Sequence, residues 1–249
     1  MNNKPKSIAL LICDGDCPAY QRPFGTYAEM ITTFLRRIDA ALVIDPFDAT
    51  RGSYPTDLDT FDGFITTGSR ASVYDPHPWI ISLGALITTL HQQRRKLAAI
   101  CFGHQLVAHV LGGKTEKAAQ GWGVGVATSR IVRHTAWMHT APDSINLIVS
   151  HQDQVTALPP EAELLATSDF CPVSMYRIGD HIFSMQGHPE FSKEYSSAVM
   201  QHHRPLFGEK TYQEGMASLT RPVDDELVGR WILAFLTGKT QGSVESRKD

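Results

Sequence analysis

Three residues of this chain together have the chemistry of an acyl-transfer site: a cysteine at 101, a histidine at 188 and a glutamate at 190. A thiolate attacks a carbonyl carbon, but it needs a neighbour to take its proton and return it to the leaving group. Histidine oriented by a carboxylate commonly does this. Cys101 sits in Lys96-Leu-Ala-Ala-Ile-Cys101-Phe-Gly-His-Gln105, an apolar strand followed at once by helical sequence. A nucleophile on such a sharp turn stands at the carboxyl edge of the sheet, where open α/β sheets bind ligands. The crowded turn demands small flanking residues, and Ala99 and Gly103 supply them. The positive end of the following helix favours thiolate, and its free N–H groups, beginning with that of Phe102, are placed to hold an oxyanion. Taken alone, the pattern fits a buried structural cysteine equally well.

Eleven histidines compete for the role of base, and position selects among them. His188-Pro189-Glu190 follows the apolar run Ile182–Gln186 and precedes Ser192, a helix-capping residue. It therefore occupies a strand-to-helix loop, on the same sheet edge as Cys101. Residues two apart in an extended segment point to the same side, which sets the Glu190 carboxylate beside the imidazole.

The elements that must position these groups follow from periodicity. Short apolar runs at Ser7–Cys13, Ala41–Ile44, Gly63–Thr67 and Leu97–Cys101 read as strands. Between and after them, Met30–Ile38, Trp79–Leu90 and Leu106–Leu111 have helical spacing, the last stopped by Gly112-Gly113. This alternation predicts an α/β fold: one open, mostly parallel sheet flanked by helices. Beyond Gly113, strand-like segments near 123–132, 145–150, 163–168, 173–177 and 182–187 predict additional antiparallel strands on the same sheet. Ser192 caps a helix running to His203, and Pro222 is placed to open a last one through Leu236. Residues 1–238 read as a single domain, and 239–249 as a polar C-terminal tail.

Ile100-Cys-Phe-Gly-His-Gln105 together with Gln186-Gly-His-Pro-Glu190 resemble the class I, triad-type glutamine amidotransferases, in order and in spacing. The likeness runs from about Phe61 to Phe191; the chain particularly resembles the small stand-alone members, often named for the amidotransferase part of GMP synthetase, and is also similar to the related γ-glutamyl peptidases. It implies a flavodoxin-like sheet and a γ-glutamyl thioester on Cys101, with His188 as base and acid and Glu190 as third member. It also implies that Gly68 joins the Phe102 N–H in an oxyanion hole. Gln105, His151, Gln152 and Asp153 would contact the amino-acid end of the substrate, bordered by Gly121-Trp122-Gly123. Two positions depart from the family pattern: Ala99 replaces a glycine, and Arg70 follows Gly68-Ser69 where many members have proline.

Composition narrows the partners. With 23 basic and 26 acidic residues the net charge is −3, which gives no general attraction for nucleic acid or an anionic membrane. A small-molecule substrate, glutamine or a γ-glutamyl compound, is the expected partner, in a cytoplasmic protein with free thiols and no cofactor or metal. Cys13-Asp-Gly-Asp-Cys17 reads as a turn, and Gly121–Gly125 lacks the helix that a dinucleotide loop requires. The sequence has no Walker-type loop and no Ser-Gly-Gly-x-Asp-Ser segment, so ammonia from glutamine would pass to a separate synthetase. Three readings stay open at this point: a glutaminase feeding such a partner, a stand-alone γ-glutamyl peptidase, and a catalytically silent binding protein on the same scaffold.

Overall fold

Alternating side chains along the first strands face two different cores, and this makes the sheet central. The structure, a computed structural model, describes residues 6–238; residues 1–5 and the polar tail 239–249 lie outside the described residues. Strands β1 (Ser7–Ile12), β2 (Val43–Asp48), β3 (Gly63–Thr66) and β4 (Leu97–Ile100) alternate with helices α1 (Tyr27–Ile38), α2 (Pro78–Gln92) and α3 (Phe102–Val110). In β1, Ile8 and Leu10 join one buried cluster with Phe34 and Leu35 of α1, whereas Ala9 and Leu11 join another with Leu83 and Ile87 of α2. Strands buried on both faces read as continuous apolar runs, which is why β1, β3 and β4 were legible.

The second half adds β5 (Lys114–Lys117), β6 (Gly123–Ile131), β7 (Ser144–His151), β8 (Asp153–Ala157), β9 (Ala162–Thr167), β10 (Met175–Ile178) and β11 (Ile182–Met185). Nine strands form one sheet in the order β2-β1-β3-β4-β11-β10-β9-β6-β7, while β5 and β8 pair as a separate ribbon. β11 lies parallel to β4, with Met185 opposite Ile100, and β10 folds back on it antiparallel. The helices α4 (Lys193–His202), α5 (Arg204–Phe207), α6 (Glu209–Ser218) and α7 (Asp225–Thr237) complete the chain. α7 buries Trp231, Ile232 and Phe235 against α1 and the sheet.

Several boundaries differ from the sequence expectation. β2 does not close at Asp45-Pro46 but runs through Pro46 to Asp48; β2 is the edge strand, where a missing N–H breaks no ladder bond. The last helix starts at Asp225 with Asp224 before it, three residues after Pro222. The β5–β8 ribbon and the α5–α6 segment were not anticipated. Cys13–Cys17 is the loop leaving β1, and burial pushes the Cys13 and Cys171 thiols up to about 12, so both stay protonated at neutral pH. Among the described residues, no helix is long and apolar enough to cross a membrane.

Candidate active site

The site is built at the carboxyl ends of three neighbouring parallel strands, β3, β4 and β11. β4 ends at Ile100, and Cys101 turns the chain into α3 with φ +49° and ψ −99°, a conformation an L-residue rarely adopts. Its N–H donates to the Met185 carbonyl at 2.9 Å, which ties the elbow to β11. The turn brings α3 close against β3: a Cβ on Gly103 would lie 1.7 Å from Thr66 Oγ1, so only glycine fits. Ala99, two residues before the cysteine, is fully buried beside Phe102 and Leu106. The departure from glycine there is accommodated by the core.

β11 leads through Gln186 and Gly187 to His188, whose N–H donates to the Ile148 carbonyl of β7 at 2.8 Å. His188 Nδ1 lies 2.8 Å from Glu190 Oε1, and both side chains are buried. Phe191 stacks on the imidazole at 3.9 Å between centroids, with planes 7° apart, and fixes its plane. Burial by itself disfavours the imidazolium, yet the attraction and hydrogen bonding of Cys101 and Glu190 outweigh it and raise the His188 pKa to about 10. With Nδ1 engaged by Glu190, Nε2 is the nitrogen left to serve the sulfur. A third group also reaches Cys101: Gln186 Nε2 donates to Sγ at 3.4 Å, and its Oε1 accepts from Gln105 Nε2 at 3.1 Å. The His188–Glu190 pair thus lies with Cys101, 87 positions earlier in the chain, at the carboxyl rim of the sheet.

Residues 24–204 match the model of the family described as glutamine amidotransferase class-I. The chain belongs to that family. It is 34% identical over 198 residues to γ-glutamyl peptidase 3 of Arabidopsis thaliana, covering 76% of this chain and 78% of the relative. It is 31% identical over 170 residues to a glutamine-hydrolyzing GMP synthase of Thermomicrobium roseum, covering 66% of this chain but 29% of that protein. Among solved structures, a glutamine amidotransferase from Thermotoga maritima has the same fold, with a TM-score of 0.75 and 17% identity, and the match covers 94% of this chain and 99% of that one.

The remaining residues that the family likeness singled out converge on the same place. Gly68 ends the β3 turn so close to the site that a Cβ there would lie 2.8 Å from His188 Cε1 and 3.6 Å from the Cys101 Cβ. Thr67 Oγ1 donates to the Gly68 carbonyl at 2.8 Å and accepts from the Cys13 N–H at the same distance, fixing the orientation of that peptide. Gln105, His151, Gln152 and Asp153 line a cavity of about 330 Å³ that opens over Cys101. Gln105 is partly committed, since its amide nitrogen donates to the Asp153 carbonyl at 2.7 Å. The Asp153 carboxylate accepts from Ser72 Oγ at 2.6 Å. His151 Nδ1 lies 3.0 Å from the Asp153 carbonyl and must carry the proton, because a carbonyl only accepts. Burial, helped by the nearby His188 and opposed by that carbonyl, lowers the His151 pKa to about 4. Its Nε2 is therefore a bare acceptor, buried without a partner among the described residues.

Trp122 borders the cavity as the likeness implied, packed on Phe207. Sequence reasoning assigned no role to Gln186, although it lies in the quoted motif, nor to Ser72 or Tyr27, which also face the site. Only Gln186 carried a usable signal: two residues from His188 on an extended segment, it shares that residue's side of the chain.

Proposed function

We propose that this protein is a cysteine hydrolase of γ-glutamyl amides, with Cys101 as nucleophile, His188 as base and acid, and Glu190 holding the imidazole. The observation carrying this reading is a cysteine at a positive-φ elbow beside an imidazole whose far nitrogen is bound by a buried carboxylate at 2.8 Å. The Cys101 thiolate, its proton held by His188, attacks the γ-carbonyl carbon. The N–H groups of Phe102 and Gly68 hold the oxyanion. His188 protonates the leaving nitrogen as the C–N bond breaks, leaving a γ-glutamyl thioester. Water, deprotonated by His188, then releases glutamate and regenerates the thiol. The Asp153 carboxylate and the bare His151 Nε2 are the acceptors suited to the substrate ammonium, with Gln105 and Gln152 bordering them.

Two relatives point to different leaving groups: the plant γ-glutamyl peptidases and the glutamine-hydrolyzing GMP synthases, in which ammonia would be the product passed on. The likeness to γ-glutamyl peptidase 3 spans 78% of that protein, against 29% of the synthase, and favours action on γ-glutamyl peptides without a separate synthetase. The deciding measurement compares ammonia release from glutamine with amine release from γ-glutamyl dipeptides, in the native chain and in Cys101→Ala. Native turnover should exceed that of the variant by at least about 10³-fold. Undiminished hydrolysis by Cys101→Ala would end the assignment, whereas a protein that turned over neither substrate and failed to react with a glutamine-like electrophile at Cys101 would be a binding protein on this scaffold.

A further inference from the structure

The lining of the cavity falls into two connected groups. One is the hydrogen-bonded set of Gln105, Asp153, His151 and Ser72. The other begins at His188, continues through the stacked Phe191 and Tyr27, whose rings lie 5.9 Å apart, and reaches Arg70, Tyr20 and His203. Arg70, Tyr20, Tyr27 and His203 all line the same cavity, and Tyr20 packs against His203 with ring centroids 5.5 Å apart. The leaving nitrogen receives its proton from His188, and the body of the leaving group therefore extends along this second set.

Arg70 is held there with unusual care. Asp14, buried in the loop after β1, accepts from Arg70 Nε at 2.7 Å, from Nη2 at 2.6 Å and from the Arg70 backbone N–H at 3.2 Å. Asp16, 87% exposed, lies 3.6 Å from Nη2. A guanidinium has five N–H groups; Nη1 has no partner among the described residues, and the side chain is 41% exposed. A brace between two loops has no need of that open edge. An oriented guanidinium presenting free N–H groups to a cavity is suited to a carboxylate, and its fixed pose lowers the ordering cost of binding.

We propose that Arg70 anchors a carboxylate on the leaving group, so that the site takes γ-glutamyl derivatives of amino acids or peptides in preference to glutamine or γ-glutamyl amines lacking a carboxylate. This rests on the hydrolase reading above and adds the identity of the leaving group. Tyr20, Tyr27 and Phe191 offer apolar surface for its side chain.

The test measures kcat/KM for γ-glutamylphenylalanine, its C-terminal carboxamide and glutamine. The carboxamide releases the better leaving amine, so chemistry alone favours it. The native protein should instead prefer the free acid by about tenfold, as for one charge-assisted hydrogen bond in a half-exposed site, and less at high salt. Arg70→Gln should bring the acid-to-carboxamide ratio near or below one, and Arg70→Lys should retain part of it. Equal use of acid and carboxamide by the native protein would overturn the proposal. So would an Arg70→Gln protein that loses rate on both by the same factor, the signature of a brace. If Arg70→Gln does not fold, the native ratio and its salt dependence decide. Failure of the hydrolase reading looks different: no γ-glutamyl compound, glutamine included, would be turned over, and both ideas would fall.

Discussion

Strand β11 has a buried histidine at either end, His181 immediately before it and His188 three residues after it. One nitrogen of each ring has a polar partner: His181 Nε2 lies 3.0 Å from His91 Nδ1, and His188 Nδ1 lies 2.8 Å from Glu190. Their acid–base behaviour is opposite. Burial lowers the His181 pKa, assisted by the charges of Arg94 and His91, while the carboxylate of Asp180, 3.8 Å away and 75% exposed, compensates little. At the other end burial acts in the same direction, but the enclosed carboxylate and the sulfur overcome it. Burial alone does not set the protonation state of an imidazole. The difference lies in a counter-charge taken out of water together with the imidazole, and the carboxyl end of the strand is where β4 delivers a helix N-terminus and a thiol to meet it.

The contrast is most directly broken at the carboxylates. Glu190→Gln should lower kcat/KM by about a hundredfold or more, because the orienting charge and tautomer control are lost, and should lower the His188 pKa as read by NMR of the labelled imidazole. Asp180→Asn at the other end should leave kcat/KM within about twofold. A smaller effect is expected at Gln186. Gln186→Leu removes the donor to Cys101 Sγ and should shift the pH profile of Cys101 alkylation towards higher pH, with about a tenfold loss of activity. An unchanged profile would reduce Gln186 to packing.

Stability against pH should carry the same opposition. His188 has its folded pKa raised above the unfolded value of about 6.5. Its contribution is fully present below pH about 6.5 and is lost as pH rises towards 10. His181 and His151 are shifted down, so their contributions are present above pH about 6.5 and are lost as pH falls through their folded values, about 4 for His151. Denaturant unfolding from pH 4 to 10 should show stability declining on both sides. His188→Gln should flatten the alkaline decline and leave the acid one. The smallest effect belongs to His91→Phe, which removes the His181 partner and should cost about 1 kcal/mol with activity unchanged.

The legibility of the fold followed burial. β1, β3, β4 and β11 are buried on both faces and read as unbroken apolar runs. β5, Lys114–Lys117, buries only Thr115 fully, and α6 buries only Tyr212 and Gly215 along ten residues. Such elements owe their form to partners elsewhere in the chain, and their local sequence is silent about them. The same limit applied to the site. Cys101 and His188 announced themselves because an elbow and a strand-to-helix loop each need particular residue types, whereas Gly68 came only from the family resemblance. Ser72, Tyr27 and the Asp14–Arg70 pair lie in segments with no such demand.

Local sequence alone carried the alternation of strands and helices, the cysteine elbow with its small flanking residues, and the two-residue spacing between imidazole and carboxylate. These are properties of bonded neighbours and short-range sterics. Long-range packing, by contrast, set β11 beside β4 and so brought His188 to Cys101, let Gln186 donate to the sulfur, and paired Asp14 with Arg70 at the cavity wall. Those contacts join residues 56 to 87 positions apart, 188 − 101 = 87 for the imidazole and sulfur and 70 − 14 = 56 for the ion pair. No local pattern encodes them, because their energies depend on which apolar faces find each other when the chain closes.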